Sequence, residues 1–224
     1  MSLILNIDTA VAGASIALSQ GSEILASATN EAAKESAGWL QPAIKELMQA
    51  GGYPLSALDA IAVSVGPGSY TGLRVGMASA KGLCYALQKP LIAISTLEMM
   101  AAAAKKVVPE AELYCPMIDA RRMEVFTAIY NRVLQPIVPP HNLILDAHSF
   151  SDLLAAHRVC IFGNGSDKFK PLLKEGQALF ATIYPHAVQL AELALEQYKK
   201  GHFADIAYTE PFYIKAFYTT QARS

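Results

Sequence analysis

The stretch VSVGPGSYTGLRVGMASAKGLCYAL, residues 63–87, sets Gly66, Gly68 and Gly72 behind an apolar run and ahead of a helical pattern. That is the layout of a phosphate-binding loop, but the spacing fits neither standard grip. A dinucleotide loop, G-x-G-x-x-G, needs a glycine where Thr71 stands. A P-loop needs Gly-Lys-Ser/Thr from the same position, and no lysine follows. What remains is a tight turn at Gly66-Pro67-Gly68 that feeds a helix, with Ser69 or Thr71 as its cap. A helix N-terminus attracts anions. Plain strand-to-helix turns are far commoner, and the turn is the favoured reading.

Other chemistry finds little footing. The histidines are His141, His148, His157, His186 and His202, none three or four residues from another, and no H-E-x-x-H occurs. Each reads as a surface or loop residue, and no metal site is expected. A serine-hydrolase elbow fails because Ser69 falls one place late in GPGSYTG. Cys84, Cys115 and Cys160 are far apart and form no C-x-x-C pair. They suit a reducing, cytoplasmic setting. The net charge of −1 is no basic footprint and disfavours a chain that grips RNA itself. Hydrophobic residues at 53% against 17% charged supply a sizeable core. The 224 residues suffice for one large domain or two small ones. The N-terminus lacks a basic n-region, and no apolar run has membrane-spanning length.

The elements that must position these residues follow from pattern. LILNIDT, ASIALS and EILASAT read as a three-stranded antiparallel meander. SAGWLQPAIKELMQA carries Leu40, Ile44, Leu47 and Met48 at helical spacing and stops at Gly51-Gly52, with Pro42 expected to kink it or delay its regular part. AIAVSV and LIAIS are buried strands, each followed by a helix, the second with Thr96 as the expected cap. From residue 113, LYCPMIDARRMEVFTAIYN repeats the pattern of LILNIDTAVAGASIALS, with Asp119 matching Asp8. The pair reads either as a duplicated strand–turn–strand unit or as two unrelated strands that each end at an Asp turn. HSFSDLLAAH, DKFKPLLKE and PHAVQLAELALEQYKKG read as helices and VCIFGNG as a strand and turn; the aromatic tail from residue 210 is expected to dock first and fray at its end.

Gly72, Gly76 and Ala80 recur every four residues of the helix after the glycine turn, and Leu73 and Met77 flank them. Glycine inside a helix is unfavourable by roughly 1 kcal/mol against alanine, so close packing must explain it. The close neighbour is either the sheet beneath or a second chain.

These motifs carry a resemblance. ILNIDT, GPGSYTGLRVG, PLIAISTLEMMAAAA, MIDARRMEVFTAIY and EPFYIK, spread over residues 3–215, resemble the bacterial TsaB (YeaZ) family. The resemblance implies an α/β fold of the actin, sugar-kinase and Hsp70 superfamily, with two ribonuclease-H-like halves, here 1–108 and 109–224. It implies a non-catalytic subunit that binds TsaD, with TsaE, in threonylcarbamoyl transfer to N6 of the adenosine beside the tRNA anticodon. TsaC supplies the threonylcarbamoyl adenylate, and tRNA is met only through the complex. Where the related catalytic subunit has its two metal-binding histidines, this chain has Thr96 and Met100. The docking surface implied is a helix bundle of Trp39, Leu40, Ile44, Leu47, Gly72, Leu73, Gly76, Met77 and Ala80, shared with TsaD or with a second copy in a homodimer. The superfamily holds nucleotide between its halves, which marks Asp8, Thr9, Gly66, Gly68 and Ser69 as a vestigial site. No cofactor is expected beyond ADP or ATP at an interface shared with partner subunits. The alternative is an ATP-dependent phosphotransferase or ATPase of the same superfamily acting alone. Ser36 and Gln41 depart from the family's usual residues and leave the partner contacts near them open.

Overall fold

The structure, a computed structural model, describes residues 1–11, 13–30 and 36–214. Ten strands form two five-stranded sheets. The first contains β1 (Leu3–Asp8), β2 (Ala14–Gln20), β3 (Glu23–Asn30), β4 (Ala60–Ser64) and β5 (Leu91–Ile94), in the order β3-β2-β1-β4-β5. The second contains β6 (Leu113–Asp119), β7 (Glu124–Asn131), β8 (Pro136–Ile144), β9 (Val159–Phe162) and β10 (Leu179–Ala181), in the order β10-β9-β6-β7-β8.

The two orders are the same order. β1 runs antiparallel to β2 and parallel to β4, and β6 runs antiparallel to β7 and parallel to β9. The helices correspond as well. α1 (Ser36–Ala50), α2 (Tyr70–Leu87) and α3 (Thr96–Val107) follow the third, fourth and fifth strands of the first set; α4 (Ser151–Ala156), α5 (Ser166–Phe169) and α6 (Ala187–Lys200) follow those of the second. The matched Asp8 and Asp119 end corresponding strands, so the duplicated unit is the reading the topology supports.

β1 is buried along its whole length because both of its faces are covered. Leu3, Leu5 and Ile7 pack with Leu40, Ile44, Leu47 of α1 and Met77, Ala80 of α2. Ile4 points the other way, toward Met99 of α3 and Leu190 of α6. α3 gives its opposite side, Leu97, Met100, Ala101 and Ala104, to Tyr114, Ile118 and Phe162 of the second sheet. The result is a stack in which α3 lies between the sheets and α6 packs beside it on the first. A division at 108/109 would assign α6 to the second half, yet α6 packs across β1, β2, β4 and β5 of the first sheet. α3 likewise leaves the first half and packs on β6 and β7. Each half therefore lends a helix to the other.

Several local expectations change. Pro42 lies inside α1, which is already helical from Ser36; its ring is exposed, so no neighbour is displaced. The N-cap of α3 is Ser95, and Thr96 is the first helical residue. DKFKPLLKE supplies only the short α5 and a 3-10 turn, because Pro171 cannot continue a helical hydrogen-bond ladder. β8 and β10 went unforeseen. β8 carries Pro136, Pro139 and Pro140, which hide a strand signal but are tolerated at a sheet edge. The tail docks as expected, with Phe212 N–H donating to the Val65 carbonyl at 2.7 Å, and ahead of it Ala204 bridges to Leu91. Its expected fraying end, 215–224, lies outside the described residues. Among the described residues no helix is long and apolar enough to cross a membrane.

Candidate functional site

The ends of β1, β4 and β6 meet at a cleft between the halves, with a volume of ≈ 570 Å³. Its walls include Ala10 and Val11 after β1, Gly68–Thr71 at the start of α2, Asp119–Arg121 after β6, and Phe126 and Asn164. Ser69 caps α2 as expected, its hydroxyl accepting the Gly72 N–H at 3.2 Å.

The glycines ahead of α2 fit the chain's own backbone. A Cβ on Gly68 would overlap the Ala10 carbonyl, whose oxygen accepts the Ser69 N–H at 2.6 Å. A Cβ on Gly66 would come within 2.6 Å of the Phe212 carbonyl oxygen, and its φ of 112° excludes most other residues. The second half repeats the device: Gly163 and Gly165 press on the backbone of Met117 and Ile118. Of the five residues marked for nucleotide, only Gly68 and Ser69 line the cleft. Gly66 is covered by the tail, and Asp8 and Thr9 are buried.

Asp8 is held from within. Its Oδ1 accepts the Ser64 hydroxyl at 2.5 Å and the Ala10 N–H at 3.1 Å. Burial raises its pKa above the ordinary carboxylate value, against the lowering effect of those hydrogen bonds and of His186. Asp119 is likewise engaged. Its Oδ1 meets the Lys168 ammonium at 2.7 Å and the Arg121 N–H at 2.6 Å. Desolvation pushes Asp119 up, but Lys168 and the Arg121 N–H outweigh it and hold the carboxyl below its usual value. Lys168 was not foreseen from sequence. Its only signal is a position one helical turn past the GNG loop, and its partner lies 49 positions away. Among the described residues no three His, Cys, Asp or Glu side chains form a metal-holding group.

The glycine stripe of α2 also faces inward. The Thr9 hydroxyl donates to the Gly72 carbonyl at 2.8 Å, and a Cβ on Gly72 or Gly76 would overlap Thr9. The close neighbour is therefore the first strand's end, not a second chain. Leu40, Ile44, Leu47, Leu73, Gly76, Met77 and Ala80 are buried in the chain's own core, Gly72 is half-buried, and Trp39 packs half-buried against that core. The buried ones do not themselves present a docking surface; Trp39 and Gly72 keep part of theirs exposed.

The outer faces of the same helices are different. α1 exposes Gly38, Gln41, Pro42 and Lys45, and α2 exposes Arg74, Ala78, Gly82 and Tyr85. Tyr85 is 79% exposed. Among the described residues, a Cβ on Gly82 or Gly38 would meet nothing within 4 Å. Arg74 lies over the Tyr70 ring at 4.1 Å, and its Nε donates to the Tyr213 hydroxyl at 3.3 Å, fastening the tail to the rim of the cleft.

Paired five-stranded sheets, exchanged helices and an interlobe cleft define a protein of the actin, sugar-kinase and Hsp70 class. An activator of 2-hydroxyisocaproyl-CoA dehydratase from Clostridium difficile shares this fold, with a TM-score of 0.56 at 10% identity over 89% of this chain and 96% of that one. The family profile described as "TsaD: tRNA N6-adenosine threonylcarbamoyltransferase" matches residues 23–144. The tRNA threonylcarbamoyladenosine biosynthesis protein TsaB of Bacillus subtilis is 31% identical over 95% of this chain and 93% of its own length. A Pseudomonas aeruginosa protein described as similar to the peptidase YEAZ superimposes with a TM-score of 0.81 at 30% identity, over 96% of this chain and 100% of that one. The chain belongs to the TsaB (YeaZ) family, the tRNA threonylcarbamoyladenosine biosynthesis proteins.

Proposed function

We propose that this chain is the assembly subunit of a tRNA threonylcarbamoyl-transfer complex. It binds and supports TsaD, together with TsaE, and contributes no catalytic residue of its own. The observation that carries the reading is Gly82. Glycine in a helix interior is unfavourable by roughly 1 kcal/mol against alanine, and at Gly72 and Gly76 close contact with Thr9 accounts for it. At Gly82 nothing among the described residues does, since none of them comes within 4 Å of a Cβ placed there. With Ala78 and the exposed Tyr85 on the same flank, it suits a partner helix that approaches closely and is anchored by an aromatic ring. The partner is TsaD, or a second copy when TsaD is absent.

The state of the two aspartates supports a non-catalytic role. Asp8 spends its Oδ1 on Ser64 and Ala10, and Asp119 is neutralised by Lys168. Both are occupied by the chain itself, which argues against a phosphotransferase acting alone. A nucleotide role is confined to ADP or ATP at an interface shared with partner subunits. The test is light scattering after size exclusion with TsaD. Wild-type protein co-elutes with TsaD; Gly82→Arg is folded by circular dichroism and does not. Unchanged assembly by Gly82→Arg rejects the surface, and robust ATP turnover by the chain alone, lost in Asp8→Ala, rejects the non-catalytic role.

A further inference from the structure

α6 comes from the second half and lies on the first sheet, so its N-terminus is a joint between the halves. The first N–H groups of a helix have no partner inside it, and here the joint supplies them. The Ala187 N–H donates to Ser15 Oγ of β2 at 2.9 Å. The Val188 N–H donates to His186 Nδ1 at 3.1 Å, which makes His186 the N-cap. A backbone N–H is always a donor, so Nδ1 must be the bare nitrogen of a neutral ring. The proton then sits on Nε2, which is 2.9 Å from Thr29 Oγ1 on β3 and donates to it. One neutral tautomer thus caps α6 and ties it to the edge strand of the other half.

A proton added to His186 can go only to Nδ1. There it would face the Val188 N–H, donor against donor, and place a positive charge at the helix end that repels it. The cap must then open. A cavity of ≈ 110 Å³ lies beside the ring, lined by Asp8, Val11, Gly13, Ala14, Ser15, Thr29, Asn30, Pro185 and His186. Among the described residues, Asp8 of β1 is the only other titratable one lining it. The groups of β2, β3 and the chain before α6 that border it are hydroxyl, amide or apolar. The cavity gives a charged ring room to leave its capping position, and Asp8 gives it a partner.

We propose that His186 is a proton-operated latch between the two halves: the neutral ring caps α6 and holds it to β3, and the protonated ring loses the cap and, by turning toward Asp8, leaves Thr29 as well. This stands independently of the assembly role.

The test is nuclear magnetic resonance of the full chain between pH 8 and pH 5, following the His186 ring nitrogens and the exchange protection of the Val188 amide. At high pH the shifts should report a bare Nδ1 and a protonated Nε2. As the ring titrates, the opening constant of Val188, corrected for intrinsic exchange, should rise roughly fivefold, the scale of a lost N-cap. His186→Asn retains a capping oxygen but no titrating group, so its Val188 protection should be flat over the same range. A protonated Nδ1 at high pH, an opening constant that ignores the titration, or an equal rise in His186→Asn would each overturn the latch. The first two are read on the wild-type chain and do not depend on the variant folding.

Discussion

Gly76 and Gly82 sit on one helix in opposite surroundings, and substitution should separate them. A Cβ at Gly76 would overlap the Thr9 hydroxyl. Gly76→Ala should destabilise the chain by about 1–3 kcal/mol, as overpacking does, read from urea denaturation. Gly82 has free space, so Gly82→Ala should leave stability unchanged or raise it by up to about 1 kcal/mol. Asp8 makes a second prediction at this scale. Its folded pKa is raised, so ionisation opposes folding at neutral pH, and that penalty fades as pH falls through the raised pKa toward the ordinary carboxylate value of about 3.9. Asp8→Asn retains an oxygen to accept the Ser64 and Ala10 bonds. It should therefore be at least as stable as wild type at pH 7, with its advantage shrinking as pH falls, read from thermal unfolding over a pH series. An advantage that grows toward acid would contradict this assignment.

At the scale of elements, the strand–turn–helix unit after β4 was legible because each signal is local. The apolar run, the Gly-Pro-Gly turn and the Ser69 cap lie within ten or so positions, and the structure keeps each. Ser69→Ala should lower stability by about 1 kcal/mol, the value of a lost N-cap, and a calorimetric melt would show it. The direction in which α2 presents its glycines was not local. A stripe of small residues says that something comes close, and only the fold shows that the close neighbour is Thr9. β8 stayed hidden for a related reason. Three prolines erase the strand pattern, and only an edge position, with β7 on one side alone, makes them acceptable. His186 read as one more loop histidine because Thr29, its tie, lies 157 positions away.

At the scale of the whole molecule, two similar halves exchange helices around a cleft, and the aspartates that end their first strands, Asp8 and Asp119, each engage an oxygen with the chain's own groups. A short repeat, ID in each half, left a duplicated unit and two unrelated strands both open, and the matching strand orders favour the duplication. The exchange of α3 and α6 could not be read from the chain, because a helix pattern shows an apolar face and not which sheet it covers. The flank of α1 and α2 around Gly82 and Tyr85 faces outward, and we propose that it makes the chain an indispensable assembly partner. The most direct test is reconstitution of tRNA threonylcarbamoylation with TsaC, TsaD and TsaE, reading modified adenosine. The expected result is modification that depends on this chain and is restored by wild type but not by folded Gly82→Arg. Full modification without the chain, or restoration by Gly82→Arg, would contradict the account.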